Sequence, residues 1–201
     1  MIKSILLSIR PEWVERILNG KKTIEVRKQF PKDYKGWVYI YCTKNGDRLV
    51  LHRLFNGGYD FTLGKQFSYH DDDCNGKVVA RFWCDKVEEI ETTYDEYRWG
   101  EEDYLTNELS PDELYEQSCL DFEQLNDYLK GKKGYAIHIS KLEIFDKPRE
   151  LSEFDRPCQH WDNEHQCYSS NLVCCAESCK FYKNTKITKA PQNYCYIEGD
   201  E

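Results

Sequence analysis

The sequence has no apolar run long enough to cross a membrane, since a transmembrane helix needs roughly 18 or more consecutive apolar residues. The hydrophobic stretch near the amino end is too short for a secretory signal, because Arg10 and Pro11 interrupt it. We therefore expect a cytoplasmic protein with no membrane partner. Internal repeats and low-complexity tracts are also lacking. With 40% hydrophobic and 32% charged residues, the 201-residue chain should fold as one globular domain with a small appendage.

The chain is also short of positive charge, with 28 basic against 36 acidic residues. That balance argues against a generic basic nucleic-acid coat. However, residues 1–60 hold 12 basic and 6 acidic residues, whereas residues 85–127 hold 2 and 16. The first segment could attract phosphate, and the second could mimic nucleic acid or contact a basic partner. Ordinary solvated surfaces would explain both segments equally well.

The order of strand and helix patterns predicts an α+β fold. An apolar run at residues 4–9 predicts a strand, and the apolar spacing at 12–18, after Pro11, predicts a helix. Alternation over residues 21–30 predicts a second strand. Further strands are predicted at residues 36–43, 77–87 and 134–144.

Residues 92–130 are predicted to form an acidic helical insert. Ser110 is a suitable helix cap and Pro111 suits the first turn. The chain up to about residue 147 should therefore form a mixed β-barrel-like sheet with helices outside it. We place this domain at residues 1–147 and a cysteine-rich extension at residues 148–201.

A polar face is predicted on the strand at residues 21–30. Thr23, Glu25 and Arg27 share this face, because alternate residues of a strand point the same way. Glu25 could fix the orientation of the Arg27 guanidinium, and Lys22 stands at the turn just before them. Such cations suit phosphate or a base edge, and nearby aromatic rings could stack on unpaired bases. The alternative is a partly exposed surface ion pair worth about 0–1 kcal/mol.

A Gly-x-Lys-x-x-Glu-x-Arg signature follows the first predicted helix, at Gly20, Lys22, Glu25 and Arg27. With this signature the chain resembles the ASCH domain, a relative of the PUA fold, over about residues 1–147. The resemblance implies a PUA-like mixed β-barrel with peripheral helices, followed here by a small Cys-rich module. It also implies binding of RNA or a nucleotide, and the sequence gives no evidence of an obligate protein partner. The residues expected to contact nucleic acid are Ser8, Arg10, Lys22, Thr23, Glu25 and Arg27.

The same resemblance implies an alternative function as a hydrolase. Some proteins similar to this domain remove the acetyl group of N4-acetylcytidine with a Lys, a Thr nucleophile and a Glu, and others cleave RNA. The Lys corresponds to Lys22, but the Thr position is occupied by Glu25 here. Neighbouring Thr23 stands in a different geometry relative to the lysine. Lys22 and Glu25 could still serve as electrostatic stabiliser and general base.

Six of the ten cysteines lie in the last quarter of the chain. Because no secretory signal accompanies them, a structural zinc site is favoured over disulfides or free buried thiols. No Cys-x-x-Cys pair is present. The expected ligands are Cys158, Cys167, Cys175 and Cys195, with Cys179 and then Cys174 as substitutes, and His160 and His165 as further candidates. The segment at residues 187–196 resembles the ending of ASCH proteins of bacteriophages and prophages, which implies a mobile-element origin.

Overall fold

The computed structural model describes residues 3–54, 57–64, 71–95, 101–157 and 186–199. In this part of the chain, strands predominate over three α-helices. In chain order the elements are β1 (Lys3–Ile9), α1 (Pro11–Leu18), β2 (Ile24–Arg27), β3 (Gly36–Cys42), β4 (Leu49–Arg53), β5 (Tyr59–Leu63), β6 (Asp72–Asp73), β7 (Val78–Cys84), β8 (Val87–Asp95), β9 (Glu101–Leu105), α2 (Pro111–Ser118), α3 (Phe122–Leu129), β10 (Gly134–His138), β11 (Ser140–Arg149) and β12 (Tyr194–Glu198).

The described strands form three sheets. A five-stranded sheet has the order β11-β7-β3-β1-β12, a four-stranded sheet has the order β2-β10-β8-β9, and a three-stranded sheet has the order β5-β4-β6. Strands β1 and β3 pair in parallel, whereas β1 and β12 are antiparallel. Helix α1 provides the crossover between the two parallel strands, and the predicted α+β class is confirmed.

Helix α1 and strand β2 form much as their sequences predict. Pro11 occupies the first helical turn, where a missing N–H costs nothing, and Val14 and Ile17 are fully buried. Gly20 follows the helix with a φ of 70°, a left-handed conformation that allows the chain to reverse into β2. Ile24 and Val26 then pack in one buried cluster, so the other face of β2 carries Glu25 and Arg27.

The segment predicted to be a helical insert contains strand as well as helix. Strand β8 runs to Asp95 and pairs with β9, and α2 and α3 come only afterwards. Helix α2 begins with a capping box, in which Ser110 and Glu113 exchange side-chain and backbone hydrogen bonds. Strands β8 and β9 form an antiparallel hairpin that the acidic composition did not reveal. The hairpin is stabilised by the burial of residues such as Tyr104, which is only 1% exposed.

Two predicted strands are each divided between sheets. The pattern at residues 77–87 contains β7 and the start of β8, and the pattern at 134–144 contains β10 and the first half of β11. Strand β11 continues past Pro148, because it is the edge of its sheet and can lack one N–H donor. Alternation of apolar residues shows which face is buried but does not show where a strand passes to another sheet.

The chain returns to the five-stranded sheet near its carboxyl end. Strand β12 pairs with β1 over five residues, and Phe154, Ile187 and Ile197 are buried on one face of that sheet. The predicted boundary after residue 147 falls inside β11. The described parts of the predicted extension therefore pack on the main domain. No helix in the described ranges is both long and apolar enough to span a bilayer.

Candidate functional site

A cleft of about 1020 Å³ opens where several elements meet. The start of α1, strand β2 and the loop after β3 form part of its wall. Helix α3 and residues 190–193, just before β12, form the rest. These segments are far apart in the sequence, so the cleft exists only in the folded chain.

Lys22 lies at the floor of the cleft and is almost fully buried, with 2% of its side chain exposed. Its ammonium donates a hydrogen bond to the backbone carbonyl of Ser118 and lies 3.4 Å from Glu25 Oε2. Burial lowers the pKa of Lys22, and the Glu25 carboxylate offsets only part of that effect. The site therefore holds an amine that gives up its proton more readily than an exposed lysine.

Glu25 is the acidic partner of two cations. Its Oε1 accepts a hydrogen bond from Arg27 Nη1, and its Oε2 faces Lys22 without a hydrogen bond from any described residue. Only 3% of the Glu25 side chain is exposed. A buried carboxylate oxygen with unused acceptor capacity is costly unless a nearby charge or a ligand compensates it.

Arg27 is held mainly by the protein, although it faces the cleft. Nη1 donates to Glu25 and to the Val26 carbonyl, and Nη2 donates to the Ser8 carbonyl at 2.7 Å. The side chain is 12% exposed. The sequence prediction of an oriented guanidinium is consistent with this geometry: two of its hydrogen bonds go to β2 itself, and the one to Ser8 ties β2 to β1.

The rim of the cleft is basic. Of the described residues that line the whole cleft, floor included, five have basic side chains and two, Glu25 and Asp127, have carboxylates. Arg10 is 71% exposed and lies 3.9 Å from Glu12, at the limit of an ion pair. Lys28 and Lys44 are exposed and form no ion pair with any residue that the structure describes. In a chain with a net charge of −8, this surface therefore carries a local excess of positive charge.

Aromatic rings stand beside these cations. The Trp13 ring lies 4.9 Å from the Arg16 guanidinium and 5.2 Å from Lys22 Nζ. The Tyr128 ring, on α3, lies 5.1 Å from Lys28 Nζ. Both rings line the cleft, so a planar group entering it meets aromatic and cationic surfaces together.

Five of the six predicted nucleic-acid contacts line the cleft, and the exception is Thr23. Thr23 is exposed, and its backbone bonds to Gln117 and Ile139 of neighbouring elements. Thr23 lies just before β2, which begins at Ile24. The alternation that predicted a shared face with Glu25 and Arg27 therefore does not apply to it. The cleft is also lined by residues that the sequence did not indicate, namely Lys28, Lys44, Tyr128 and residues 190–193.

The ASCH domain model matches residues 7–190 of this chain. The chain belongs to the ASCH family. Among solved structures, the ASCH protein of Zymomonas mobilis is similar at 17% identity, with a TM-score of 0.43, covering 74% of this chain and 73% of that one. Two single-residue variants of that protein are similar at 16% identity, with TM-scores of 0.44 and 0.42. They cover 74% of this chain and 76% and 74% of their own. No curated protein matches the sequence.

Family membership confirms the predicted PUA-like fold, and it extends the ASCH region well beyond residue 147. The signature residues Lys22, Glu25 and Arg27 occupy the cleft floor of this ASCH protein. Residues 191–193, which form part of the wall, lie just past the end of the family match.

The predicted zinc ligands are mostly outside the described residues. Cys158, Cys167, Cys175 and Cys179 fall there, as do the substitute Cys174 and both candidate histidines. Cys195 lies on β12 and is half-buried, and burial raises the pKa of its thiol. The described residues hold no group of three or more His, Cys, Asp or Glu side chains arranged for a metal. The zinc site stays a prediction.

Zinc in the Cys-rich segment is expected to be measurable in the purified protein. Because thiolates bind zinc tightly, elemental analysis should find a zinc-to-chain ratio of about one. A reagent that modifies thiols should release the metal to a chelator in solution. A ratio near zero in protein prepared without chelators would contradict the prediction.

Proposed function

We propose that this ASCH protein binds RNA or a nucleotide in the cleft. The observation that carries the proposal is the basic lining of the cleft in an otherwise acidic chain. Counterions released from a phosphate backbone by lysine and arginine would supply salt-dependent affinity. The acidic residues elsewhere on the surface would repel nucleic acid and so favour binding at this one place.

The lining residues suggest a division of roles. Arg10, Lys28 and Lys44 are exposed at the rim and suit phosphate groups, which lysine and arginine bind through charge-assisted hydrogen bonds. The Trp13 and Tyr128 rings suit the faces of unpaired bases. Lys22 and Glu25, at the buried floor, suit polar atoms of the base or sugar that enters deepest.

Replacing Lys44 with glutamine is expected to weaken binding of single-stranded RNA about 5-fold at 0.1 M salt. The estimate follows from the loss of one phosphate contact, which should also reduce the slope of log K against log salt by about 0.7. Fluorescence anisotropy of a labelled oligonucleotide across a salt series would measure both quantities.

Lys35→Gln is the matched control, because Lys35 is exposed but does not line the cleft. This variant should leave affinity and slope close to wild type. Equal losses in the two variants would show that the charge of the whole chain, rather than the cleft, governs binding. Absence of RNA binding by the wild-type protein at low salt would refute the proposal.

A second candidate function, hydrolysis of RNA or of a modified nucleoside such as N4-acetylcytidine, is favoured by one observation. The buried Lys22 ammonium, with its lowered pKa, lies 3.4 Å from a carboxylate oxygen that no described residue hydrogen-bonds. Such a pair can exchange a proton with a bound group. Incubating RNA and N4-acetylcytidine with the wild-type protein and with Lys22→Met tests this function. Turnover by the wild-type protein that is lost in the variant would support hydrolysis. Substrates left intact by a high concentration of the wild-type protein would exclude it.

A further inference from the structure

The wall formed by residues 191–193 is built from a part of the chain that the ASCH family match does not include. This wall is fixed at its carboxyl end. Strand β12, which follows it directly, pairs with β1 through five residues from Lys3↔Glu198 to Leu7↔Tyr194. The position of the wall is therefore set by β1, the strand next to the β12 edge of the five-stranded sheet.

Ser8 fastens the wall with two hydrogen bonds. Its Oγ donates to the Pro191 carbonyl at 2.7 Å, and its backbone N–H donates to the Asn193 carbonyl at 2.9 Å. The Ser8 carbonyl accepts from Arg27 Nη2 at 2.7 Å. All three polar groups of Ser8 are used, so one residue joins the wall to the ion pairs of the floor.

Asn193 adds a further tie, since its side-chain amide donates to the Gln29 carbonyl at 2.9 Å. Gln192 lies between the two fastened residues. It is exposed, lines the cleft and makes no hydrogen bond to any residue that the structure describes. A fixed backbone thus presents a free amide to the cleft, with a donor and an acceptor side by side.

We propose that Gln192 is a specificity-determining residue that reads the edge of an unpaired RNA base in the cleft, an inference that rests on the proposed function. The cations at the rim bind phosphate, which carries no sequence information. An amide pairs with a base edge through two hydrogen bonds and rejects a base with a mismatched pattern. A fixed backbone favours this readout, because it limits the positions that the Gln192 amide can reach.

The test compares binding of labelled oligo(rA), oligo(rC) and oligo(rU) to the wild-type protein and to Gln192→Ala. The wild-type protein should prefer one homopolymer by about 5-fold or more, the discrimination typical of a two-bond amide contact. Gln192→Ala should bring the affinities close together while the affinity for the weakest ligand is kept. A structural role would instead weaken all three ligands alike.

Asn107→Ala is the control, because Asn107 is an exposed amide outside the cleft, and it should keep the wild-type preference. A wild-type preference that survives in Gln192→Ala overturns the inference, as does a wild-type protein that binds the three homopolymers equally. A wild-type protein that binds none of them overturns the proposed function itself. The two failures are therefore distinguishable.

Discussion

Glu25→Ala is expected to lower the free energy of unfolding by about 3–5 kcal/mol, the usual cost of removing one partner from a buried ion pair. Glu25 is 2% exposed and is the carboxylate that compensates Lys22, which is equally buried. Without it the Lys22 ammonium would lie in the interior without a counter-charge, and Arg27 would lose one of its acceptors. Urea unfolding monitored by circular dichroism measures the change.

Glu143→Ala is a matched control for this variant. Glu143 also pairs with an arginine, Arg81, at 2.7 Å, but half of its side chain is exposed. The control should therefore cost about 1 kcal/mol or less. Replacing both partners together, as Lys22→Met with Glu25→Leu, should cost less than the sum of the single changes, because the fully buried Lys22 charge is removed along with its partner and only Arg27 loses an acceptor. A loss below about 1 kcal/mol in Glu25→Ala would contradict the buried arrangement.

Leu125→Ala is expected to lower the free energy of unfolding by about 2–5 kcal/mol, because it leaves a cavity in a packed cluster. Leu125 is fully buried on α3 and packs in the same cluster as Ile24 and Val26 of β2. The same helix carries Gln124, Asp127 and Tyr128 in the cleft wall. RNA affinity should therefore fall with stability, as α3 loses its attachment to β2.

Leu63→Ala is the matched control, because it removes the same side-chain atoms from a leucine that is 38% exposed. Leu63→Ala should change the free energy of unfolding by about 0.5 kcal/mol or less. Thermal and urea unfolding of both variants give the comparison. If Leu125→Ala were as mild as Leu63→Ala, α3 would not be packed on β2 as the structure has it.

The floor of the cleft was predictable because its residues are close together in the chain. Gly20 allows the turn after α1, and the alternation of β2 buries Ile24 and Val26 and so turns Glu25 and Arg27 the other way. Lys22 lies beside Glu25 and Arg27 because it is in the turn just before β2. The same reasoning was wrong for Thr23, because Thr23 precedes β2 and the alternation begins only with the strand.

The rim and the far wall were not predictable, because they depend on contacts between distant segments. Lys44 reaches the cleft because β3 pairs in parallel with β1, and Tyr128 because α3 packs on β2. Residues 190–193 join it only because β12 pairs with β1, more than 180 residues away in the chain. Neither composition nor periodicity reports such pairings.

By itself the amino-acid sequence determined the α+β class, the helix and strand that flank the signature, and the Lys22, Glu25 and Arg27 set, since these follow from local periodicity and turn chemistry. Tertiary structure alone decided the division of strands among three sheets, the burial of the Lys22–Glu25 pair and the enclosure of the cleft. The physical reason is that burial and cleft shape arise when segments distant in the chain exclude water from each other.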